Sequence, residues 1–399
     1  MLGKLTRNTD HRILVLAIVL SLPIKLGYIF SRNLFTSGPD ADTYIPASID
    51  FSTQGFFSSS ITGMPYWPAG YPWLNSLFAK LSEGMWEETT QFLQTIIFSF
   101  ACLVYFNMIL PYFGRSIALL SSLFLILQPA WVVASGEAMY ETYLFSSLII
   151  GCYLIIKGKR KIAIDSIYIG LLLLGFSMVI HPRTFPIVCV FLTLLQLKLR
   201  YRPKELLIGL LFFAFLPIMF ALRNWVAENS FTLSTALVGT ASSYNVVFRS
   251  CSSIECIPAT IFSNFSGLFS QGITNLTDFF SPHWGPDSKG TWFHSLSGLF
   301  LFPEGGVTEV IVFVGRFVSA LSVIFLILGI WKAVQRGSLF DHFFVISTAI
   351  FLGTAFVIFG DNRHRLIASF ALLPLQLLGS RVSWDVFKRI YLKTLSFAK

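Results

Sequence analysis

Three carboxylates crowd into the stretch from Ser37 to Trp73, in a chain that has only 20 acidic residues among 399. They are Asp40, Asp42 and Asp50, and the residues around them are rich in glycine, proline and aromatic rings. This composition is typical of an ordered, folded loop rather than a slack linker. A carboxylate near a hydroxyl can act as a general base. The stretch therefore predicts a reaction site.

Further charged side chains stand where other apolar runs end. Planar guanidinium groups offer paired donors to a phosphate or pyrophosphate. Each residue also has a structural reading, because an arginine at a helix end can extend to lipid headgroups and a loop aspartate can simply be solvated. If the helices form one bundle, we expect these groups to converge on one cavity at the outer membrane surface. The set is Asp40, Asp42, Glu137, Glu141, His181, Arg183, Arg223, Asn224, Arg363, His364 and Arg365.

The composition excludes a soluble globular protein. Hydrophobic residues make up 54% of the chain and charged residues 12%, whereas a soluble domain carries about 25% charged residues. The mean hydropathy is +0.70, and several apolar runs are long enough to cross a hydrocarbon core of about 30 Å. We predict one all-α integral membrane domain, residues 1–399, with about ten transmembrane helices. Their expected positions are 13–30, 92–110, 117–134, 143–156, 164–180, 187–197, 206–222, 310–334, 343–359 and 366–378.

The charge pattern orients these helices. Most of the 29 Lys and Arg residues fall in the short loops and tails of one side, which the positive-inside rule makes cytoplasmic. This places a first catalytic loop, 31–91, which carries short amphipathic helices, and a second, longer loop, 226–307, outside. It makes 382–399 a basic cytoplasmic amphipathic tail. The net charge of +9 therefore reflects topology, and we exclude nucleic acid as a partner. The absence of a retention signal favours a bacterial inner membrane, with the outer face in the periplasm, over the endoplasmic reticulum and its lumen.

The sequence predicts neither a metal site nor a cofactor. It has no His/Cys cluster with metal-ligand spacing, no glycine-rich phosphate loop and no nucleophile elbow. Cys251 and Cys256 lie in a polar loop and could form a disulfide if that loop faces an oxidising compartment.

Four stretches, taken in order along the chain, have the pattern of one superfamily of membrane enzymes. They are PDADTY followed by PAGYPWLNSLF, then SGEAMYETYLF, then LPIMFALRNWVAENSFTLST, and finally GDNRHRLIASFALLPLQLLG. Together they resemble the GT-C superfamily of polytopic glycosyltransferases, which use polyprenyl-phosphate sugars. Within it the sequence is most similar to the bacterial branch related to protein mannosyltransferases and lipid A aminoarabinose transferases.

The resemblance implies a role for each matching residue. Asp40 takes the place of the family's catalytic base, while Asp42 departs from the commoner Asp-Glu pair, so that which carboxylate acts stays open. Glu141, more than Glu137, matches the second acid. The positions expected near the donor phosphate are Arg183, Arg223, Arg363, His364 and Arg365, and those expected near substrate are Tyr44, Tyr71, Glu137 and Asn224.

The implied reaction is an inverting, metal-independent transfer of a sugar from a polyprenyl-phosphate donor to a hydroxyl of a lipid, glycan or protein acceptor. The alternative function is a transporter or flippase of lipid-linked sugars. A transporter is expected to carry ionisable groups near the bilayer midplane and often has internal repeats. This chain instead has most of its charges at helix ends and shows no repeat. A purely structural membrane protein would leave the outer Arg and Asp residues unexplained.

Overall fold

The structure, a computed structural model, describes residues 2–37, 40–64, 66–82, 84–161, 164–199, 203–234, 263–280, 306–357 and 362–397. Within these ranges the secondary structure is helical. The helices are α1 (Leu2–Arg32), α2 (Ala41–Gln54), α3 (Gly70–Leu81), α4 (Trp86–Phe113), α5 (Arg115–Leu127), α6 (Pro129–Gly136), α7 (Glu141–Lys161), α8 (Ile164–Ile180), α9 (Phe185–Leu199), α10 (Pro203–Glu228), α11 (Phe265–Phe280), α12 (Gly306–Arg336), α13 (Leu339–Val357) and α14 (Asn362–Phe397).

Six helical segments in the described part of the chain are long and apolar enough to cross a membrane. They are Thr9–Ser31, Trp86–Phe113, Glu141–Gly158, Leu207–Glu228, Leu339–Phe356 and Leu366–Leu392. The bent pair α5 and α6 adds a seventh span if it counts as one, and Asp165–Ile180 and Pro182–Leu197 are shorter apolar helices. The chain is therefore a multi-pass integral membrane protein. The count of about ten spans stays a prediction.

Two of the predicted runs differ in detail from the observed helices. The run 117–134 is one helix in the prediction, but α5 and α6 meet at Gln128 with a bend of 50°. Pro129 causes the break, because proline has no N–H to donate and fits only the first turn of a helix. The run 366–378 is part of the uninterrupted helix α14, which continues through 382–397.

The described chain divides into two compact units, residues 1–108 with 122–265, and residues 109–121 with 266–399. In the first unit α8 packs between α7 and α10. The backbones of α7 and α8 approach closely because Gly151 faces Gly170, where an added Cβ would lie 2.8 Å from the Gly151 carbonyl oxygen. Small residues permit such close crossings in membranes, where hydrophobic burial does not drive helices together.

In the second unit α12 packs along α14, and α13 contacts both. Gly329 and Gly379 lie at this crossing, each against a backbone carbonyl of the opposite helix. The start of α13 is fixed by a capping pair, in which the Asp341 N–H donates to Ser338 Oγ at 3.1 Å and that hydroxyl donates to Asp341 Oδ2 at 2.7 Å.

The segment after α1, predicted to be an ordered loop with short amphipathic helices, contains α2 and α3 packed against each other. It has its own apolar cluster, in which Phe51 and Ile61 pack with Val179 of α8 and Phe220 of α10. Asp50 closes the connection between the two helices, since its Oδ2 accepts hydrogen bonds from the N–H and the hydroxyl of Thr62, at 2.9 and 2.6 Å. Asp50 therefore has a structural role in this segment.

Candidate active site

Asp40 lies at the N-terminus of α2, just after a short 3-10 turn, Leu34–Ser37. Its backbone carbonyl accepts hydrogen bonds from the N–H groups of Thr43 and Tyr44, at 3.1 and 2.9 Å. Its carboxylate makes no capping bond to α2, so the backbone alone begins the helix. Asp40 is half-buried and Asp42 is exposed. The two carboxylates are therefore in different environments, and Asp40 is the one held towards the protein.

The acidic turn between α6 and α7 carries Glu137 and Glu141, which are 8% and 0% exposed. It lies against the entry to α2, because the Ala138 N–H donates to the Phe35 carbonyl at 3.2 Å and these two residues pack in one cluster with Ala41. Residues about a hundred positions apart in the sequence thus meet at the same helix ends.

Two buried glutamines of α4 hold this acidic turn. Gln91 Nε2 donates to the Gly136 carbonyl at 2.7 Å, and Gln94 Nε2 donates to the Ser135 and Glu137 carbonyls at 2.9 and 3.2 Å. The last carbonyls of a helix have no partner within it and must find donors elsewhere, most urgently where water is absent. The glutamines supply those donors at the end of α6 and so fix where Glu137 and Glu141 stand.

Tyrosine rings connect the first loop to the acidic turn. Tyr44 contacts Tyr71 and Tyr140, with ring centroids 5.1 and 6.3 Å apart. Tyr71 in turn lies 5.9 Å from Tyr143, and Tyr140 lies 4.9 Å from the imidazole of His181. The cluster thereby joins α2, α3, the start of α7 and the turn that follows α8.

The electrostatics of Tyr71 place two acids near one phenol. Burial raises the pKa of Tyr71 well above its usual range, and Tyr143 raises it further. A hydrogen bond with Asn75 lowers the pKa, and Glu141 and Asp40 each raise it by less. The neutral phenol donates a hydrogen bond to Gln94 Oε1 at 3.0 Å. Asp40 and Glu141 are therefore close enough to the same hydroxyl for both charges to act on it.

The third helix end at this site is the turn after α8. The Arg183 N–H donates to His181 Nδ1 at 3.3 Å, which orients the imidazole against Tyr140. Both His181 and Arg183 are half-buried. Gly70, the first residue of α3, packs on the backbone just before this turn, where an added Cβ would lie 2.7 Å from the Val179 carbonyl oxygen. The missing side chain lets α3 bring Tyr71 close to the His181 turn.

Arg223 is fully buried near the end of α10 and binds the other end of the first loop. Its Nε donates to the Phe56 carbonyl at 3.1 Å and its Nη2 to the Ser58 carbonyl at 2.6 Å. Its Nη1 donates to Asn224 Oδ1 at 2.8 Å, and Asn224 Nδ2 donates to the Thr232 carbonyl at 2.7 Å. These bonds make Arg223 and Asn224 a clasp between the loop and the segment after α10. Phosphate binding by Arg223 stays a prediction.

The structure brings together most of the residues that the sequence predicts for the site. Six of them lie in or beside the tyrosine cluster: Asp40, Tyr44, Tyr71, Glu137, Glu141 and Arg183. Arg223 and Asn224 lie at the far end of the same loop. The side chains of Arg363, His364 and Arg365, as well as Cys251 and Cys256, lie outside the described residues.

Sequence reasoning missed Gln91, Gln94 and Tyr140. Two amides three residues apart near the start of an otherwise apolar helix were the available signal for the glutamines, because polar side chains in a membrane helix need partners. In the part of the chain that the structure describes, no group of three or more His, Cys, Asp and Glu side chains is arranged to hold a metal ion.

Comparison with known proteins gives one kind of match. No family model matches the sequence, and no curated protein is similar enough to count as a relative. Among solved structures, the chain is similar to the apo oligosaccharyltransferase of Archaeoglobus fulgidus, with 12% identity over 98% of this chain and 52% of that one and a TM-score of 0.49. It is also similar to the oligosaccharyltransferase AglB of Archaeoglobus fulgidus in complex with an inhibitory peptide and a dolichol-phosphate, with 12% identity over 99% and 52% and a TM-score of 0.48.

The chain thus spans about half the length of these archaeal structures. Neither belongs to the bacterial branch that the sequence motifs resemble.

Proposed function

We propose that this protein is a membrane glycosyltransferase that moves a sugar from a polyprenyl-phosphate donor to an acceptor hydroxyl at the outer face of the membrane. The observation that carries the proposal is the convergence of three helix ends on the tyrosine cluster. Asp40 begins α2, whose Tyr44 contacts Tyr71 and Tyr140. Tyr140 precedes the buried Glu141 and contacts His181, in the turn that carries Arg183. The site lies at the ends of apolar helices, where a lipid-borne phosphate and a water-borne acceptor can both arrive.

Asp40 is the general base in this mechanism. Its carboxylate removes the proton of the acceptor hydroxyl while that oxygen forms a bond to the anomeric carbon. The bond from the anomeric carbon to the phosphate oxygen breaks at the same time, and polyprenyl phosphate leaves with the electron pair. Attack opposite to the leaving group inverts the anomeric centre. The half-burial of Asp40, against the exposure of Asp42, favours Asp40 as the base.

Positive charge near the donor stabilises the leaving phosphate, which carries the charge that develops in the transition state. Arg183 is assigned to this task because its backbone N–H donates to His181, whose ring contacts Tyr140 of the tyrosine cluster. Arg363, His364 and Arg365 are assigned to the same task by resemblance alone. Arg223 acts through the first loop, which it ties to α10, and is a positioning residue in this scheme.

The remaining polar residues hold the acids and the acceptor. Glu141 lies beneath the site with no exposed surface, so it orients groups rather than meeting the aqueous acceptor. Tyr44 forms a wall of the site through its contacts with Tyr71 and Tyr140. The backbone at Glu137 is held by the two glutamines, since Gln91 donates to the Gly136 carbonyl and Gln94 to the Glu137 carbonyl. In this proposal the protein lies in a bacterial inner membrane and its site faces the periplasm. The acceptor is a lipid, a glycan or a protein.

Transport of a lipid-linked sugar is the second candidate, and one observation favours it. Lys25 lies within the span Thr9–Ser31 and is 5% exposed, and a buried charge in a membrane helix often marks a transport pathway. The two functions differ in their products. A transferase releases polyprenyl phosphate without its sugar, whereas a flippase moves the intact lipid to the other leaflet.

The deciding experiment reconstitutes the purified chain in liposomes with a series of polyprenyl-phosphate sugars and simple hydroxyl acceptors. Mass spectrometry then follows free polyprenyl phosphate. We expect its release with the wild-type chain and a loss of at least about a hundredfold with Asp40→Asn, the lower end of the contribution of a general base. Movement of the intact donor from one leaflet to the other, without release of polyprenyl phosphate, would establish transport as the function instead.

A further inference from the structure

The last helix is much longer than the membrane it enters. Helix α14 has 36 residues, which corresponds to about 54 Å at 1.5 Å per residue. A hydrocarbon core of about 30 Å needs about 20 residues. Counted from Leu366, where the apolar span begins, the helix leaves the core near Asp385. The residues beyond that point must lie among the lipid headgroups or in water.

The side chains around this exit change character. Residues 366–379 are largely buried within the second compact unit, whereas residues 384–392 are exposed on all sides of the helix. Trp384, Phe387 and Tyr391 are 63%, 59% and 54% exposed. They recur at the spacing of one helix face, and their rings stack in sequence, with centroids 5.8 and 6.3 Å apart. Ile390 extends this apolar face and is 61% exposed.

Basic side chains share this end of the helix with the rings. Arg381, Lys388 and Arg389 are exposed. At 100° per residue Arg389 falls opposite the aromatic stack, whereas Arg381 and Lys388 fall beside it, next to Trp384. Asp385 is the one acidic residue between 381 and 399, and Lys393 and Lys399 follow in the sequence. A helix end that carries both exposed aromatic rings and exposed cations is suited to the boundary between acyl chains and anionic headgroups.

From this arrangement we infer that residues 381–392 form an anionic-lipid-binding surface, in which the stacked rings enter the acyl boundary and Arg381, Lys388 and Arg389 bind negatively charged headgroups. The occupant is the membrane leaflet into which α14 emerges, on the side that the charge pattern makes cytoplasmic. Neither water nor a neutral leaflet complements this surface. Its three exposed cations attract anionic partners. Its six large exposed apolar side chains leave water on entering the acyl boundary; they are Trp384, Val386, Phe387, Ile390, Tyr391 and Leu392.

The test uses the full-length chain in lipid nanodiscs, with a solvent-sensitive fluorescent amino acid in place of Ile390. Nanodiscs of phosphatidylcholine are compared with nanodiscs that also contain phosphatidylglycerol. We expect a blue shift of the emission with the anionic lipid that weakens at high salt, because the Debye length falls from about 10 Å at 0.1 M to about 3 Å at 1 M. The same fluorophore in place of Asp385, which lies between Lys388 and Arg389 on the helix surface, should shift less.

Charge removal gives the second measurement. Lys388→Gln with Arg389→Gln should weaken the response to anionic lipid by about fivefold for each charge, the equivalent of about 1 kcal/mol. The matched control, Lys332→Gln with Arg336→Gln, removes the same charge from the end of α12 and should leave the response unchanged. These positions are wholly or partly exposed, so folding should tolerate the changes.

Several outcomes overturn the inference. One is equal emission in neutral and anionic nanodiscs. Another is an equal loss of the response to anionic lipid in the test and control variants. A third is the same emission shift in detergent on addition of inorganic phosphate, which would make free phosphate the ligand. A second copy of this chain is the remaining alternative occupant. Energy transfer between labelled chains in different nanodiscs, each disc holding one chain, would assign the surface to such a copy.

Discussion

Gln94 offers the sharpest test of how the acidic turn is held. Gln94→Met keeps the length of the side chain but removes the donor to the Ser135 and Glu137 carbonyls and the acceptor of the Tyr71 hydroxyl. Each buried polar group left unpaired costs about 1–3 kcal/mol. With three such groups, and some relaxation of the turn, we expect the free energy of unfolding to fall by about 3–5 kcal/mol.

The assay is unfolding of the purified protein in mixed detergent micelles, followed by its intrinsic fluorescence, together with the transfer rate. Gln91→Met removes a single donor, to Gly136, and should cost about 1–2 kcal/mol. Gln335→Met is the control, since this glutamine is exposed on α12 and surface changes stay within about 0.5 kcal/mol. Wild-type stability in the Gln94 variant would refute the reasoning that these amides fix the turn.

The same network predicts a pH dependence through Tyr71. Its pKa is raised in the folded protein, by burial first and then by Tyr143 and the two acids, so folding favours the neutral phenol. The stability that this contributes is fully present below the ordinary tyrosine pKa of about 10 and is lost as the pH rises through the raised value. Tyr71→Phe should therefore lower stability by a constant amount from about pH 6 to 9, and a steep change in that range would contradict the assignment.

Three further predictions concern the general base, the Arg223 clasp and the crossing of α7 and α8. Asp40→Asn should reduce transfer at least about a hundredfold while donor binding persists, and Asp42→Asn should cost less; the reverse order in a liposome transfer assay would move the base two residues along. Arg223→Met should lower the free energy of unfolding by about 2–5 kcal/mol, because it leaves two loop carbonyls unpaired, and unchanged protease resistance of residues 55–62 would argue against the clasp. Gly170→Ala should cost about 1–3 kcal/mol because its Cβ meets the facing backbone, whereas Gly353→Ala, with nothing within 4 Å of its Cβ, should be neutral or stabilising in the same unfolding assay.

The sequence by itself determined several of the membrane helices. Runs such as 92–110 and 206–222 lie within observed helices α4 and α10, because a long apolar run in lipid must satisfy its backbone internally and can do so only as a helix or a closed barrel. The sequence also singled out Asp40, Glu141 and Arg183 as chemistry-bearing residues, since carboxylates and guanidinium groups are conspicuous in a chain that is 12% charged.

Only the tertiary structure decided what these groups contact. The Gln94 bonds to the acidic turn join residues 41 and 43 positions apart, and the Arg223 bonds to the first loop span 167 and 165 positions. No local pattern encodes such a partner, because a side chain at a helix end satisfies its hydrogen bonds with whichever backbone the packing brings near. The close approach of α7 and α8 at Gly151 and Gly170 shows the same division: the sequence supplies the small residues, and the packing of the helices decides which carbonyl lies against them.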